Sequence, residues 1–431
     1  MSDTLKAGVA VRDITPPPGT ELTGFIAREQ PSTGVRDPLF VRALWLASGG
    51  ERLLWLQADL LGFDLPTARR IRRAAADRLG LPVRAVALSA THTHGGPATM
   101  LLRACGEPLP GYLDGVEASF LEAADEASAK AEPVRLAFAE GTASVAHDRR
   151  AASANSHVDP RLPVLAFSRA DGSLVALLAN YACHNTTLGG ECRLVSADLS
   201  GEAMRRAAEA LPGHPVVCLV NGGCGNVNPL GRGEEVVQRL GAELAAAIVE
   251  TARAATPCAE VEPLLAAAER TISLPLLEQT RAEVEAEAKR IFETFDGRPQ
   301  TPFVARLRRA AAGWREDTLS WLSEHPPMTA EMDVQALRIG PASFACVSGE
   351  IFSRSADDLR ARTSPRSYIV GYANGNLGYI PTPEVYAEGG YEVKDAHRYY
   401  AHFALAPDAY GRIVDCAADL VAGLNATPST R

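Results

Sequence analysis

Strand-sized apolar runs that alternate with helical segments constrain this chain more than any other feature. Leu53–Leu56 and Ala85–Ser89 read as strands, with a helix over Leu65–Leu79 between them. Helical composition returns over Val116–Lys130, and strands follow at Val134–Ala137, Val164–Phe167 and Leu174–Tyr181. Val216–Val220 runs into a glycine-rich turn and a long helix near Glu234–Arg253. Phe344–Val347 and Tyr368–Val370 are further strands, and a helix near Tyr410–Leu424 closes the sequence. Alternation of this kind predicts an α/β fold, a mixed β-sheet core with flanking helices. Residues 275–326 break the pattern. That stretch is charged, lacks β-branched runs and reads as two helices broken at Asp296-Gly297-Arg298-Pro299. It is expected to be a helical insertion, serving as a lid, a dimer surface or a plain solvated hairpin.

Composition narrows the function classes. With 431 residues, 46% of them hydrophobic, the chain can bury a large core. A net charge of −9 and no long basic run argue against nucleic acid as a partner. The N-terminal segment MSDTLKAGVAVRDITPPPG has no apolar h-region. No stretch approaches the roughly 18 uninterrupted apolar residues of a membrane span. A cytoplasmic enzyme with no stable membrane association and a small-molecule substrate is therefore expected, with homo-oligomer formation left open. The eight cysteines form no CxxC pair, and several sit in apolar runs (VVCLV, FACVSG), as reduced, buried thiols do.

Five local motifs could carry chemistry. SATHTHGGP (Ser89–Pro97) follows an apolar run, and on an extended backbone His92 and His94 would share a face. NYACHNTT (Asn180–Thr187) also ends a strand and offers His184. Downstream, Asp198 in SADLSGE could orient a ligand histidine or cap a helix. Val216–Val220 leads into NGGCGNVNP, a loop able to aim backbone N–H groups at an anion or simply to turn; its glycine spacing fails the dinucleotide fingerprint. SGEIF offers Glu350 at another strand end, and GYANGNLGYIPT is a glycine-rich loop with Tyr386, Tyr391 and Glu392 beyond. Each motif has an ordinary structural reading when taken alone.

In order, however, these motifs resemble the catalytic domain of the neutral/alkaline non-lysosomal ceramidases and their relatives. The likeness begins at Gly8-Val9-Ala10-Val11-Arg12-Asp13-Ile14-Thr15-Pro16-Pro17 and runs to GYIPTPEVYAEGGYE, nearly the whole chain. It implies a single ceramidase-like catalytic domain over residues 1–431, with the 275–326 insertion inside it. It also implies a Zn2+ site in which His92, His184 and Glu350 match the family ligands, with Tyr379 near or on the metal. His94 looks like a substrate-facing group, and Arg149 falls near a family active-site arginine, with Arg150 adjacent. Two histidines and a glutamate with one open position form a recognised catalytic zinc set. Two departures shape the expectation. Asn228 stands where the ceramidases carry a serine, and a carboxamide is no nucleophile, so metal-activated water is the expected attacking group. With little sequence after GGYE, the family's immunoglobulin-like C-terminal domain is also expected to be missing. The expected activity is therefore zinc-dependent hydrolysis of an amide (N-acyl) bond in a small soluble substrate. A metal-dependent esterase, lactonase or carbohydrate deacetylase is the alternative.

Overall fold

The structure is a computed structural model that describes residues 4–258, 264–324, 327–400 and 403–426. Met1–Asp3 of the N-terminal segment and Pro326 at the insertion's boundary lie outside the described residues.

Three β-sheets organise the described chain. The first runs in the order Val86–Ala90, Glu51–Ala58, Phe40–Ser48, Lys6–Asp13, Glu132–Pro133. The second runs Val216–Asn221, Leu174–Tyr181, Arg161–Ser168, Arg135–Thr142, Thr256–Pro257. The third runs Leu265–Pro275, Thr329–Ile339, Ala342–Cys346, Ser367–Val370. Most neighbours are antiparallel, but each sheet ends in one parallel pair: Glu51–Ala58 with Val86–Ala90, Leu174–Tyr181 with Val216–Asn221, and Ala342–Cys346 with Ser367–Val370. This is the mixed α/β architecture that the sequence predicts.

Period-two alternation explains why these strands read as unbroken apolar runs. In Phe40–Ser48, Leu44 and Leu46 face a core shared by all three sheets, with Trp55, Phe167, Leu178, Phe344 and Tyr368. Val41, Ala43 and Trp45 face the opposite way, onto helices Leu65–Leu79 and Tyr112–Ala129. Helices Asp198–Ala210 and Glu234–Ala254 cover the second sheet, and Arg354–Arg362 and Asp408–Ala426 cover the third. Both faces of most strands are thus buried, and each face must be apolar. Helix Leu65–Leu79 begins where sequence signals put it: the Asp64 carboxylate accepts from Thr67 N at 2.8 Å, Pro66 follows, and Gly80 ends the helix at φ 61°.

The insertion contains the two expected helices, Arg281–Glu293 and Pro302–Ser323. The first starts later than residue 275, because Leu265–Pro275 is committed to its antiparallel partner Thr329–Ile339 and Thr280 forms a capping box with Glu283. The hairpin is not purely solvated. Trp314, Val284 and Leu319 form its own small core. Glu287 pairs with Arg398, and Asp317 with Arg103, tying the hairpin to chain segments that wall the cavity described below.

Candidate metal centre

The carboxyl ends of the three parallel pairs point to one place, the position where open α/β sheets bind ligands. Val86–Ala90 leads to His92 and His94, Leu174–Tyr181 to His184, and Val216–Asn221 to the glycine loop and Asn228. Ala342–Cys346 leads to Glu350, and Ser367–Val370 to Tyr372 and Tyr379. His92, His94, Arg149, His184, Asn228, Glu350 and Tyr379 all line a single cavity of about 250 Å³.

At its floor, the donor atoms of His92, His184 and Glu350 lie within 4.8 Å of one another, and all three residues are buried. His92 Nδ1 is 2.7 Å from the Leu61 carbonyl, and His184 Nδ1 is 2.7 Å from the Cys224 carbonyl. A carbonyl only accepts, so each Nδ1 carries a proton, and each ring in its neutral form keeps a lone pair on Nε2. Those lone pairs face the Glu350 carboxylate, with Oε2 3.1 Å from His184 Nε2 and 3.5 Å from His92 Nε2. Three electron-pair donors converging in a buried space require a positive charge among them. Burial alone would raise the Glu350 carboxyl; the imidazoles of His92 and His184 and the Tyr400 hydroxyl outweigh it and hold the group well below the carboxylate range. Burial pulls His92 down to about 4, whereas at His184 the hydrogen bonds to Cys224 and Glu350 outweigh burial and push it up to about 9. One proton could bridge only one donor pair, whereas a metal cation satisfies all three, and the donor set fits such an ion.

The surrounding backbone explains the motifs. The strand ends at Ala90, and His92 takes a left-handed φ of 60°. The two histidines therefore converge through a turn and not, as extended geometry predicts, by sharing a strand face. His94 Nε2 still reaches 3.4 Å from His92 Nε2, while its Nδ1 is buried without a hydrogen-bond partner among the described residues. Three N–H groups of the glycine loop are spent internally: Gly222 N donates to Tyr181 O, Gly225 N to Ile351 O and Val227 N to Cys224 O. Its glycines permit close approach instead, since a Cβ on Gly225 would fall 2.2 Å from the Glu350 carbonyl oxygen. Asn228 leaves the loop on a short strand paired with His147, and its Oδ1 is buried with no hydrogen-bond partner among the described residues. Asp198 orients no histidine; its carboxylate accepts from Thr187 N, Leu188 N and Leu199 N, fixing the turn after His184.

Arg149 and Arg150 separate cleanly. Arg149 lines the cavity, bonded to Glu392 and the Gly225 carbonyl and lying 5.2 Å over the Tyr379 ring. Arg150 turns away to Glu388, Glu392 and the Gly389 carbonyl. Tyr379 stacks parallel to His184, ring centroids 6.4 Å apart. Several residues escaped sequence reading. The Tyr400 hydroxyl donates to Glu350 Oε1, and Tyr372 stacks 3.9 Å from His92 with its hydroxyl 3.5 Å from Glu350 Oε2. Phe25, Leu61 and Leu102 supply apolar wall. A positive φ at Tyr372 fits the glycine-rich loop that was singled out, but nothing in RYYAH marks Tyr400.

Fold and centre together define an α/β protein with a buried His–His–Glu site at the strand ends. Residues 5–217 match the model of the family described as neutral/alkaline non-lysosomal ceramidase, N-terminal. The neutral ceramidase of Pseudomonas aeruginosa is 28% identical over 207 residues, covering 42% of this chain and 30% of that protein. The chain thus aligns with less than a third of the curated relative's length. The solved neutral ceramidase from Pseudomonas aeruginosa superposes with a TM-score of 0.74 at 17% identity, covering 98% of this chain and 75% of that one. A ceramidase solved in complex with C2 gives a TM-score of 0.75 at 18% identity, with the same coverage.

Proposed function

We propose that this chain is a zinc-dependent hydrolase that cleaves an amide (N-acyl) bond of a small soluble substrate, with water as the nucleophile. The observation that carries this reading is the donor set. Two imidazole lone pairs, fixed by the Leu61 and Cys224 carbonyls, face one buried carboxylate at a cavity floor. Nitrogen-rich sites favour zinc over calcium or magnesium, which take oxygen. Bound there, zinc would lower the pKa of a water towards about 7 and polarise a carbonyl.

The chain's own residues supply orientation and charge stabilisation. The Tyr400 and Tyr372 hydroxyls hold the Glu350 carboxylate against rotation. Tyr379 stands beside the centre as the fourth protein group. Burial keeps His94 neutral. A buried N–H without an acceptor costs more than an unused lone pair, so its proton belongs on Nε2, facing the cavity. From there it can donate to the oxygen that gains charge as the carbonyl is attacked, with Arg149 as the neighbouring cation. Asn228 Oδ1 is an acceptor in want of a donor, and the N–H of a scissile amide provides one. An ester or lactone has no such N–H. Likeness to ceramidases over residues 5–217 supports the same choice of bond.

Matched N-acyl amides, esters, lactones and N-acetyl sugars, assayed with metal analysis on the same preparations, test this reading. Amide turnover is expected. His94→Ala should retain its metal while losing about 10²–10³ in rate, the scale of one oxyanion donor. Loss of the metal from His94→Ala would make His94 a ligand. Turnover confined to esters, lactones or acetyl sugars would replace the amide reading.

A further inference from the structure

The cavity has an uneven charge. Glu350, one of the three proposed metal ligands, is the one carboxylate residue among its described lining residues, against Arg149 and Arg232. Arg149 is engaged by Glu392 and the Gly225 carbonyl. Arg232 is exposed and has no carboxylate partner among the described residues. Its acidic neighbour Glu234 is already taken by Arg36. Behind the floor, Arg28 is buried and makes no direct ion pair among the described residues, spending its N–H groups on the carbonyls of Thr23, His94 and Cys192, with Glu191 and Asp198 acting on it from further off. Burial draws Arg28 down only to about 10, so it remains cationic at neutral pH. In a protein of net charge −9, the described lining of this cavity thus sets two arginines against one carboxylate.

Arg232 is also held in place. It sits between Gly231 (φ 117°) and Gly233 (φ 110°), a backbone path that L side chains rarely follow. Leu230 N donates to Val145 O, and Gly233 N to Thr187 O at 2.8 Å, pinning the turn to the loop that carries His184. Arg232 therefore lines the cavity from an anchored turn on the same loop system as a proposed metal ligand.

We propose that Arg232 forms an anion subsite, so that the preferred substrate carries a carboxylate in addition to its scissile N-acyl bond. This rests on the amidohydrolase reading above. The carboxylate could lie on the amine side, as in an N-acyl amino acid, or at the far end of the acyl chain. A charge-assisted pair with a guanidinium sets the expected preference at about tenfold to a hundredfold.

Two matched pairs distinguish the sources: hexanoylglycine against hexanoylglycinamide, and adipic acid monoamide against hexanamide. In the wild type, kcat/KM should favour the anionic member of one pair by about tenfold to a hundredfold. Arg232→Ala should bring that ratio close to unity, and Arg232→Glu should invert it. A merely structural arginine would lower both members together and leave the ratio intact. A wild type that prefers the neutral members, or a ratio unmoved by either variant, overturns the proposal. Titration calorimetry with glutarate and pentanoate, which differ by one carboxylate, needs no turnover. Arg232→Ala should weaken glutarate alone; equal effects on both ligands would also overturn the subsite. If no amide is hydrolysed while glutarate discrimination persists, the hydrolase reading fails and the subsite stands.

Discussion

Glu350→Gln is expected to empty the metal centre and lower turnover by at least roughly 10³, while leaving the fold intact. Glu350 supplies the one negative charge among the three donors, and it is fully buried. Glutamine preserves the shape and can still accept the Tyr400 hydroxyl on its carbonyl oxygen. Its NH2 group, however, would donate to the Nε2 lone pairs of His92 and His184. The variant would therefore satisfy by hydrogen bonds what the wild type satisfies with a cation. Water in the emptied cavity returns to its bulk pKa near 15.7 from about 7, which sets the scale of the rate loss. Thermal unfolding should show an unfolding temperature at or above that of the metal-free wild type, and elemental analysis should find the metal gone. A Glu350→Gln protein that keeps its ion would show that the carboxylate is not a ligand.

A second large effect is expected away from the chemistry. Asp59→Ala should cost about 3–5 kcal/mol of stability, the usual result of stranding one partner of a buried ion pair. Asp59 is fully buried and pairs with Arg42 at 2.8 Å, while also accepting from Phe40 N. The pair lies just before Leu60 and Leu61, whose carbonyls hold His92 N and Nδ1. Removing the carboxylate leaves the Arg42 guanidinium without its counter-ion in the core. Replacing both partners, as Arg42→Met with Asp59→Leu, should recover much of the loss, because the desolvation cost disappears with the charges. Urea unfolding of the three proteins checks this. A loss below about 1 kcal/mol for Asp59→Ala would mean that water reaches the pair and screens it.

Much of the site was legible because its residues follow strands in recognisable motifs. His92, His184, Glu350, Tyr379, His94, Arg149 and Asn228 fall on six separate stretches of chain, yet they line one cavity. Helix Leu65–Leu79 and strand Leu174–Tyr181 were readable to the residue, since the first carries its own caps and the second an uninterrupted apolar run. Strand Leu265–Pro275 was not. Its alanines and the Glu269-Arg270 pair suit a helix, and tertiary pairing with Thr329–Ile339 along its whole length overrides that propensity. Tyr400 and Arg28 were invisible for a different reason. Their roles come from long-range contacts, to Glu350 and to the His94 carbonyl, that no local pattern encodes.

The central claim is most directly tested by metal content and amide turnover of the wild type, measured before chelation, after it, and after stepwise return of zinc. About one zinc per chain, turnover lost on chelation and restored in proportion to the zinc returned, is the expected result. Protein that purifies without metal and hydrolyses an N-acyl amide undiminished in a strong chelator would contradict it.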